Sequence, residues 1–274
     1  MQTRRRSVLV LSTTPPIPRE YGNRNRVHQT ISFFLGMGFD VSFLLYPIDR
    51  EWVDSVPGYC RQLIDMFDYF AAIPNSKKLH QNAVGYHHEI DEWWDENIAQ
   101  HLIWLFQRKR FDVFLVNYTF LAKAFEYAPS GMIKVLDTHD LFSGRRELFE
   151  KFGVAPEFFY TSPERERIAL DRADAVLAIK QSEAAALTAL TSRKVITLPY
   201  WDDRQVNRQA DTCQPSIYDH DRPLRLGFLG AHNSVNIVNF ERNFAAAPLR
   251  TTKNEPGAEQ NTLCVFSRSF SVPI

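Results

Sequence analysis

Glycine is scarce in this chain, at 11 of 274 residues, where a typical protein carries about 7%. Loops that cradle phosphates usually spend glycines, and neither a GxGxxG fingerprint nor a P-loop is present. A dinucleotide-binding Rossmann enzyme is therefore disfavoured. Cysteine is also scarce: Cys60, Cys213 and Cys264 are odd in number, far apart and without a CxxC pair. That usage fits a reducing compartment and argues against a zinc ribbon. No apolar run approaches the ~18 residues of a membrane helix. The start, Thr3-Arg4-Arg5-Arg6-Ser7-Val8-Leu9, superficially matches a twin-arginine signal. Its apolar run, Val8 to Leu11, is too short for a signal core and soon meets Pro15-Pro16, so export is not expected.

Net charge is absent as well. Lys+Arg and Asp+Glu are both 32, whereas a chain built to neutralise phosphates carries a positive excess. No nucleic-acid partner is expected. No serine sits in a GxSxG elbow and Cys60 has no local histidine, which argues against a covalent hydrolase. His80, His87, His88 and Glu89 invite a metal reading, but Glu92 stands where the second histidine of HExxH would be. That stretch reads as a surface loop and helix cap, and no metal is expected.

What is present is an ordinary globular composition, 45% apolar and 23% charged, long enough to bury a sizeable core. Residues 7–12 form a continuous apolar run, as a strand covered on both faces does. A proline-rich polar loop follows, then a helical apolar spacing in 24–38 (Val27, Ile31, Phe34, Leu35), then a second buried strand at 41–46. This is a βαβ unit. Further strands are expected at 68–73, 111–116, 133–136, 175–179 and 194–198. Helices are expected at 88–110, 120–127, 164–172 and 182–190, with a loop at 74–88. The acidic start and basic end of 88–110 suit a helix dipole, and Thr161-Ser162-Pro163-Glu164 has a capping-box pattern. Short apolar strands alternating with helices predict an α/β fold with a doubly wound, mostly parallel Rossmann-like sheet.

Four segments result. Residues 1–200 form the Rossmann-like domain and 201–223, with Pro215 and Pro223, a polar linker. Residues 224–244 begin a second, incomplete α/β unit with a strand at 224–229 and a helix at 235–244. Residues 245–274 show no sustained helical period and are expected to be an irregular or disordered tail.

In a parallel open sheet, ligands sit outside the carboxyl ends of the strands. That rule selects the loop after the first strand, where Gly22 and Asn23 tolerate left-handed backbone just before a helix N-terminus that attracts anions. Arg19, Arg24 and Arg26 add positive charge there. The first 50 residues carry seven arginines and three acids. Two readings stand: a phosphate or anionic-acceptor site, or a solvated basic loop. The same rule selects Asn117 and Tyr118, then Asp137-Thr138-His139-Asp140. His139, flanked by carboxylates, can bond a sugar hydroxyl or shuttle a proton, with a neighbouring carboxylate to orient it; alternatively it caps its loop. Trp93, Trp94 and Trp104 are read as core or groove packing.

Several pieces, in this order, resemble the amino-terminal half of family 4 glycosyltransferases, which have the GT-B fold. They are Val8-Leu9-Val10-Leu11-Ser12 with Pro15-Pro16 and Gly22-Asn23-Arg24; Arg26-Val27-His28; Gly38-Phe39-Asp40-Val41; Val135-Leu136-Asp137-Thr138-His139-Asp140; Glu166 with Ala169-Leu170 and Arg172-Ala173-Asp174-Ala175-Val176; and Val195-Ile196-Thr197-Leu198-Pro199. Leu226-Gly227-Phe228-Leu229-Gly230 resembles the first strand of that fold's second domain. The resemblance covers about residues 7–244. It implies two Rossmann-like domains facing across a cleft, the first holding a glycan or lipid-linked acceptor and the second a nucleotide-sugar. The implied reaction is sugar transfer with retention, without a cofactor or metal. Gly22 matches the family's Gly-rich first loop, with Asn23 where many members have a second glycine, and His139 matches the histidine near the donor sugar. Substrate contacts are expected from Gly22, Asn23, Arg24, Arg26, Asn117, Tyr118 and Asp140.

Beyond Phe244 the resemblance ends. The family's Arg/Lys pair for the diphosphate and its Glu-x7-Glu motif are not found in this chain. The sequence is therefore read as truncated, and negligible transfer is expected from the chain alone, with a separate carboxy-terminal-domain chain as an expected partner. The alternative is a non-catalytic Rossmann-like module for an anionic or glycan ligand. A small-molecule enzyme of another doubly wound type is the third reading, disfavoured by the missing glycine motifs. A cytoplasmic location, with peripheral contact at the inner membrane face, follows by analogy.

Overall fold

The computed structural model describes residues 4–19, 21–48, 50–76, 87–156 and 158–200, with backbone alone for 50–57, together with the backbone of strands 224–229, 250–252 and 263–268. The chain divides into two compact units, Met1–Lys151 with Ala155–Trp201, and Phe152–Val154 with Asp202–Ile274.

In the first unit β1 (Ser7–Ser12) is the pivot. It pairs in parallel with β2 (Asp40–Leu45) on one side and β4 (Val113–Asn117) on the other. β3 (Tyr69–Ala72), β5 (Ile133–Asp137), β6 (Ala175–Ala178) and β7 (Lys194–Thr197) complete a seven-stranded parallel sheet, ordered β3-β2-β1-β4-β5-β6-β7. All six residues of β1 are buried, because helices cover both faces. Strand side chains alternate between the faces. Val8 and Val10 pack with Val27 and Ile31 of α1 (Gly22–Gly36) and Leu63 of α2 (Arg50–Met66). Leu9 and Leu11 join the larger core made by α3 (Glu96–Phe106), a 3-10 helix (Thr119–Tyr127), α5 (Pro163–Asp171) and α6 (Gln181–Leu190). Chain direction across the sheet reverses between β1 and β4, which is the switch point of a doubly wound fold.

The strands match their expected places to within a residue or two. α2 has no counterpart in the sequence reading, because Pro57 and Gly58 in its middle look like a turn. The seven-residue α4 (Arg145–Lys151) was likewise not expected. The helix expected from His88 begins only at Glu96. Asp95 is its N-cap and accepts a bond from the Asn97 N–H at 2.9 Å. The same carboxylate accepts bonds from the Ser76 N–H (2.8 Å), the Ser76 hydroxyl and the Tyr46 hydroxyl (3.1 Å). Burial works to raise its pKa, but these donors outweigh burial and hold it below the usual carboxylate value.

His88, expected in a surface loop, is completely buried. It stacks on Phe159 at 5.1 Å, and its Nδ1 meets Glu92 at 2.9 Å. Trp93 packs on Phe120 at 4.9 Å and Phe159 at 5.2 Å. This aromatic cluster draws the stretch before α3 inward. His80 lies outside the described residues.

In the second unit β8 (Leu224–Leu229) pairs antiparallel with β10 (Leu263–Arg268), which pairs antiparallel with β9 (Arg250–Thr252). Two strands thus lie in the stretch expected to be irregular. Leu263 to Phe266 is a short run of strand-forming residues, invisible to a search for helical period. The expected linker 201–223 and helix 235–244 lie outside the described residues.

Asp95→Ala removes the α3 cap and leaves the Tyr46 hydroxyl with one partner fewer. A loss of about 2 kcal/mol in unfolding free energy is expected from chemical denaturation.

Candidate functional site

The loops after β1, β4 and β5 converge at the carboxyl edge of the sheet beside the switch point. After β1, Ser12 folds back, its hydroxyl accepting from the Thr14 N–H at 3.1 Å. α1 then starts at Gly22. Its N-cap, Tyr21, has extended backbone (φ −116°) and no side-chain cap, and its first turn contains no acid. Gly22 and Asn23 are therefore helical rather than left-handed, and the space where a Cβ of Gly22 would sit is empty. Asn23 bridges two loops, its Nδ2 donating to the Tyr118 hydroxyl at 3.3 Å and the Thr14 hydroxyl at 3.4 Å.

The basic loop is less available than its charge suggests. Arg26 is buried, and its guanidinium forks onto the buried Asp137 carboxylate with contacts of 2.8–2.9 Å. Its remaining nitrogen donates to the Leu198 carbonyl at 2.7 Å. Arg26 is thus a structural clamp rather than a substrate cation, because its place in the first turns of α1 aims it across the strand ends. Arg24 is also buried, its guanidinium 4.3 Å from the Tyr21 ring centre. Arg19 bonds Asn25 at 2.8 Å. Asp140 is exposed and meets Arg145 at 3.3 Å.

His139 is 4% exposed. Its ring stacks on the Tyr118 ring with centres 4.4 Å apart. Both residues have left-handed backbone, with φ of 61° and 71°, which non-glycine residues adopt at a cost. The expected orienting carboxylate does not bond it: Asp137 is 3.6 Å from Nε2, beyond hydrogen-bond reach, and is already saturated by Arg26 and by the Asn117 Nδ2 at 3.4 Å. Stacking, not a carboxylate, sets the ring. Burial, joined by the Arg26 charge, pushes the His139 pKa below 6.5, against the opposing pull of Asp137 and Asp140. The imidazole is neutral at pH 7, so the proximity to Asp137 is not an ion pair. Burial, with the Asp140 and Asp137 charges, also raises the Tyr118 phenol to about 12, against the bonds from Asn23 and Thr14. At this edge of the sheet, three of the buried polar atoms have no hydrogen-bond partner among the described residues: His139 Nε2, Asn117 Oδ1 and Thr119 Oγ1. Such atoms are rare in folded proteins, and these three lie at or just past the ends of two adjacent strands.

Glu166 was quoted in the sequence only as part of a pattern, yet it builds this site. It is buried, and its carboxylate accepts from the N–H groups of Phe142 (3.0 Å) and Ser143 (2.7 Å). Burial raises its pKa, and those same bonds pull against that rise. It fixes the loop that carries His139. A signal existed: Glu166 shares a helix face with Ala169 and Leu170, and a charge on an apolar stripe needs a partner. Thr138, quoted in the sequence within the Asp137-Thr138-His139-Asp140 loop without a role of its own, donates to the Leu177 carbonyl at 3.1 Å. The left-handed backbone at Tyr118 and His139 has no sequence signal.

The arrangement suits a ligand rich in hydroxyls: a neutral imidazole that can donate or accept, amide and hydroxyl oxygens, and an uncapped helix start beside them. Among the described residues no group of histidine, cysteine or acidic side chains could hold a metal ion. No helix there is long and apolar enough to cross a membrane.

Arg26→Ala strands a buried carboxylate and is expected to cost about 3–5 kcal/mol in denaturant unfolding. His139 binds a proton more readily unfolded than folded. Stability should therefore be full above pH 6.5 and fall as pH drops through that value toward the lower folded pKa. His139→Asn, which tolerates the left-handed backbone, should flatten that slope in thermal melts recorded across the window.

No family model matches the chain, and no curated protein matches it. Among solved structures it is similar to a sucrose-phosphate synthase from Thermosynechococcus elongatus, at 15% identity over 80% of this chain, with a TM-score of 0.46. The chain spans 54% of that structure's length.

Proposed function

We propose that the switch-point site serves sugar transfer, as the acceptor side of a retaining, nucleotide-sugar-dependent glycosyltransferase acting on a glycan or lipid-linked acceptor. One observation carries this reading: His139 is buried and neutral, with an unpartnered Nε2, at the position that resembles the family's sugar-side histidine. Its role is to bond a hydroxyl of the transferred sugar. Asn117 Oδ1 and Thr119 Oγ1 offer further hydroxyl contacts. The uncapped start of α1, at Gly22 and Asn23, faces phosphate oxygens. Tyr118 positions His139 by stacking.

Transfer needs stabilisation of an oxocarbenium-like state and of a departing diphosphate. This chain contains neither the Arg/Lys pair nor the Glu-x7-Glu motif that supply it in the family. The donor side then comes from a separate chain or segment, at the cytoplasmic face of the membrane, with no metal involved. The second reading is a non-catalytic glycan or anion module, favoured by the antiparallel sheet of the second unit where a second parallel unit was expected.

Saturation-transfer NMR with UDP-glucose, GDP-mannose and a polyprenyl phosphate tests the site. Millimolar binding of at least one is expected, about tenfold weaker in His139→Ala for one lost hydrogen bond, with no turnover by the 274-residue chain. Binding that ignores His139→Ala would sink the proposal. Turnover by the chain alone would remove the need for a separate donor side.

A further inference from the structure

A second concavity lies away from the switch point. Ile73 and Pro74, just past the edge strand β3, face Asn97, Gln100, His101 and Trp104 of α3 across an open groove of about 450 Å³. Ligand pockets commonly enclose roughly 300–1,000 Å³. Strand spacing puts β3 about 12 Å from the β1–β4 gap, and the groove shares no residue with the site there.

Its lining is specific in kind. Trp104 is 43% exposed and its neighbour Ile103 47%, on a helix whose opposite face buries Ile98, Leu102 and Leu105. The indole is held in place: Tyr69 lies 6.2 Å and His101 5.6 Å from it, ring centre to ring centre. Arg108 sits over the indole at 4.6 Å and donates to the Trp104 carbonyl at 3.0 Å. The Tyr69 hydroxyl and His101 Nε2 are bonded at 3.0 Å, and Asn97 donates to the Pro74 carbonyl at 3.1 Å. A rigid aromatic wall loses little freedom when a ligand arrives. Beside it stand two carboxamides, from Asn97 and Gln100, each able to donate and accept. Among the described residues no Asp, Glu, Lys or Arg lines the groove, and burial keeps His101 below the usual histidine value, hence neutral.

This chemistry selects its ligand. A pyranose ring presents an apolar face of C–H groups that suits an indole, and a rim of hydroxyls that suits planar amides. A nucleotide would bring phosphate charge, and Arg108, the cation beside the indole, is already engaged on that ring and on the Trp104 carbonyl. An open groove, rather than a closed cavity, admits a segment of a longer polymer. We propose that the groove between β3 and α3 is a binding subsite for a neutral oligosaccharide, with Trp104 as the stacking surface and Gln100 and Asn97 as hydroxyl partners. The proposal does not depend on the reading of the switch-point site.

Isothermal titration of the full chain with maltohexaose, xylohexaose and chitohexaose tests it, with UMP as competitor. At least one hexasaccharide should bind with millimolar affinity. Trp104→Ala should weaken it more than tenfold and Gln100→Ala several-fold, while His139→Ala and UMP leave it unchanged. Trp104 and Gln100 are exposed, so both variants should melt like the parent. No binding by any of the three, binding unchanged in Trp104→Ala, or displacement by UMP would overturn the proposal. Binding lost in His139→Ala but kept in Trp104→Ala would also overturn it, and would assign the sugar to the switch-point site.

Discussion

The carboxyl edge of the sheet is organised by one buried ion pair. Arg26 and Asp137 lie 111 positions apart, and the Leu198 carbonyl, 172 positions from Arg26, completes the guanidinium's bonding. The helix after β1 is thereby tied to the ends of β5 and β7, across the end of β4. Taking two charges out of water costs several kcal/mol each. The forked geometry and the added carbonyl offset that cost only in one register of α1 over the sheet. The pair therefore works as a selector of arrangement more than as a source of stability.

That selection propagates to the histidine. With its oxygens engaged by Arg26 and Asn117, Asp137 cannot bond His139, and the guanidinium charge next door disfavours a second cation. The imidazole is left neutral, with its orientation handed to Tyr118. Tyr118 is in turn located by Asn23, on the same helix as Arg26. Glu166 holds the following turn from the other side through two backbone N–H groups. Asn23 and Arg26 of α1, Asp137 of β5 and Glu166 of α5 thus act on the ring through Tyr118 and the loop backbone, without a direct hydrogen bond to either of its nitrogens among the described residues.

Much of this was legible in the sequence. Continuous apolar runs such as Val8 to Leu11 announce strands covered on both faces, and the rule about carboxyl ends then points to Asn23, Asn117, Tyr118 and His139. What sequence could not give was the direction of long side chains. Arg26 looked like a ligand cation because charge is visible in one dimension and the burial of its partner is not. His88 looked exposed because Glu89, Asp91 and Glu92 surround it in sequence, while Trp93 and Phe159 surround it in space. Asp95 looked like one more acid in a helix, and only its bonds to Ser76 and Tyr46 reveal that the helix starts there. The strands β9 and β10 were missed because their pairing is long-range, which no local period reports.

The left-handed backbone at Tyr118 and His139 has a consequence for how the chain can vary. Strain at such positions is of order 1–3 kcal/mol each, and glycine or asparagine would relieve it. A lineage selected for stability alone should drift to those residues, whereas one that needs the stacked ring pair must keep resisting them. If the stacked pair serves a ligand, the two positions are where selection for endurance and selection for work pull in opposite directions.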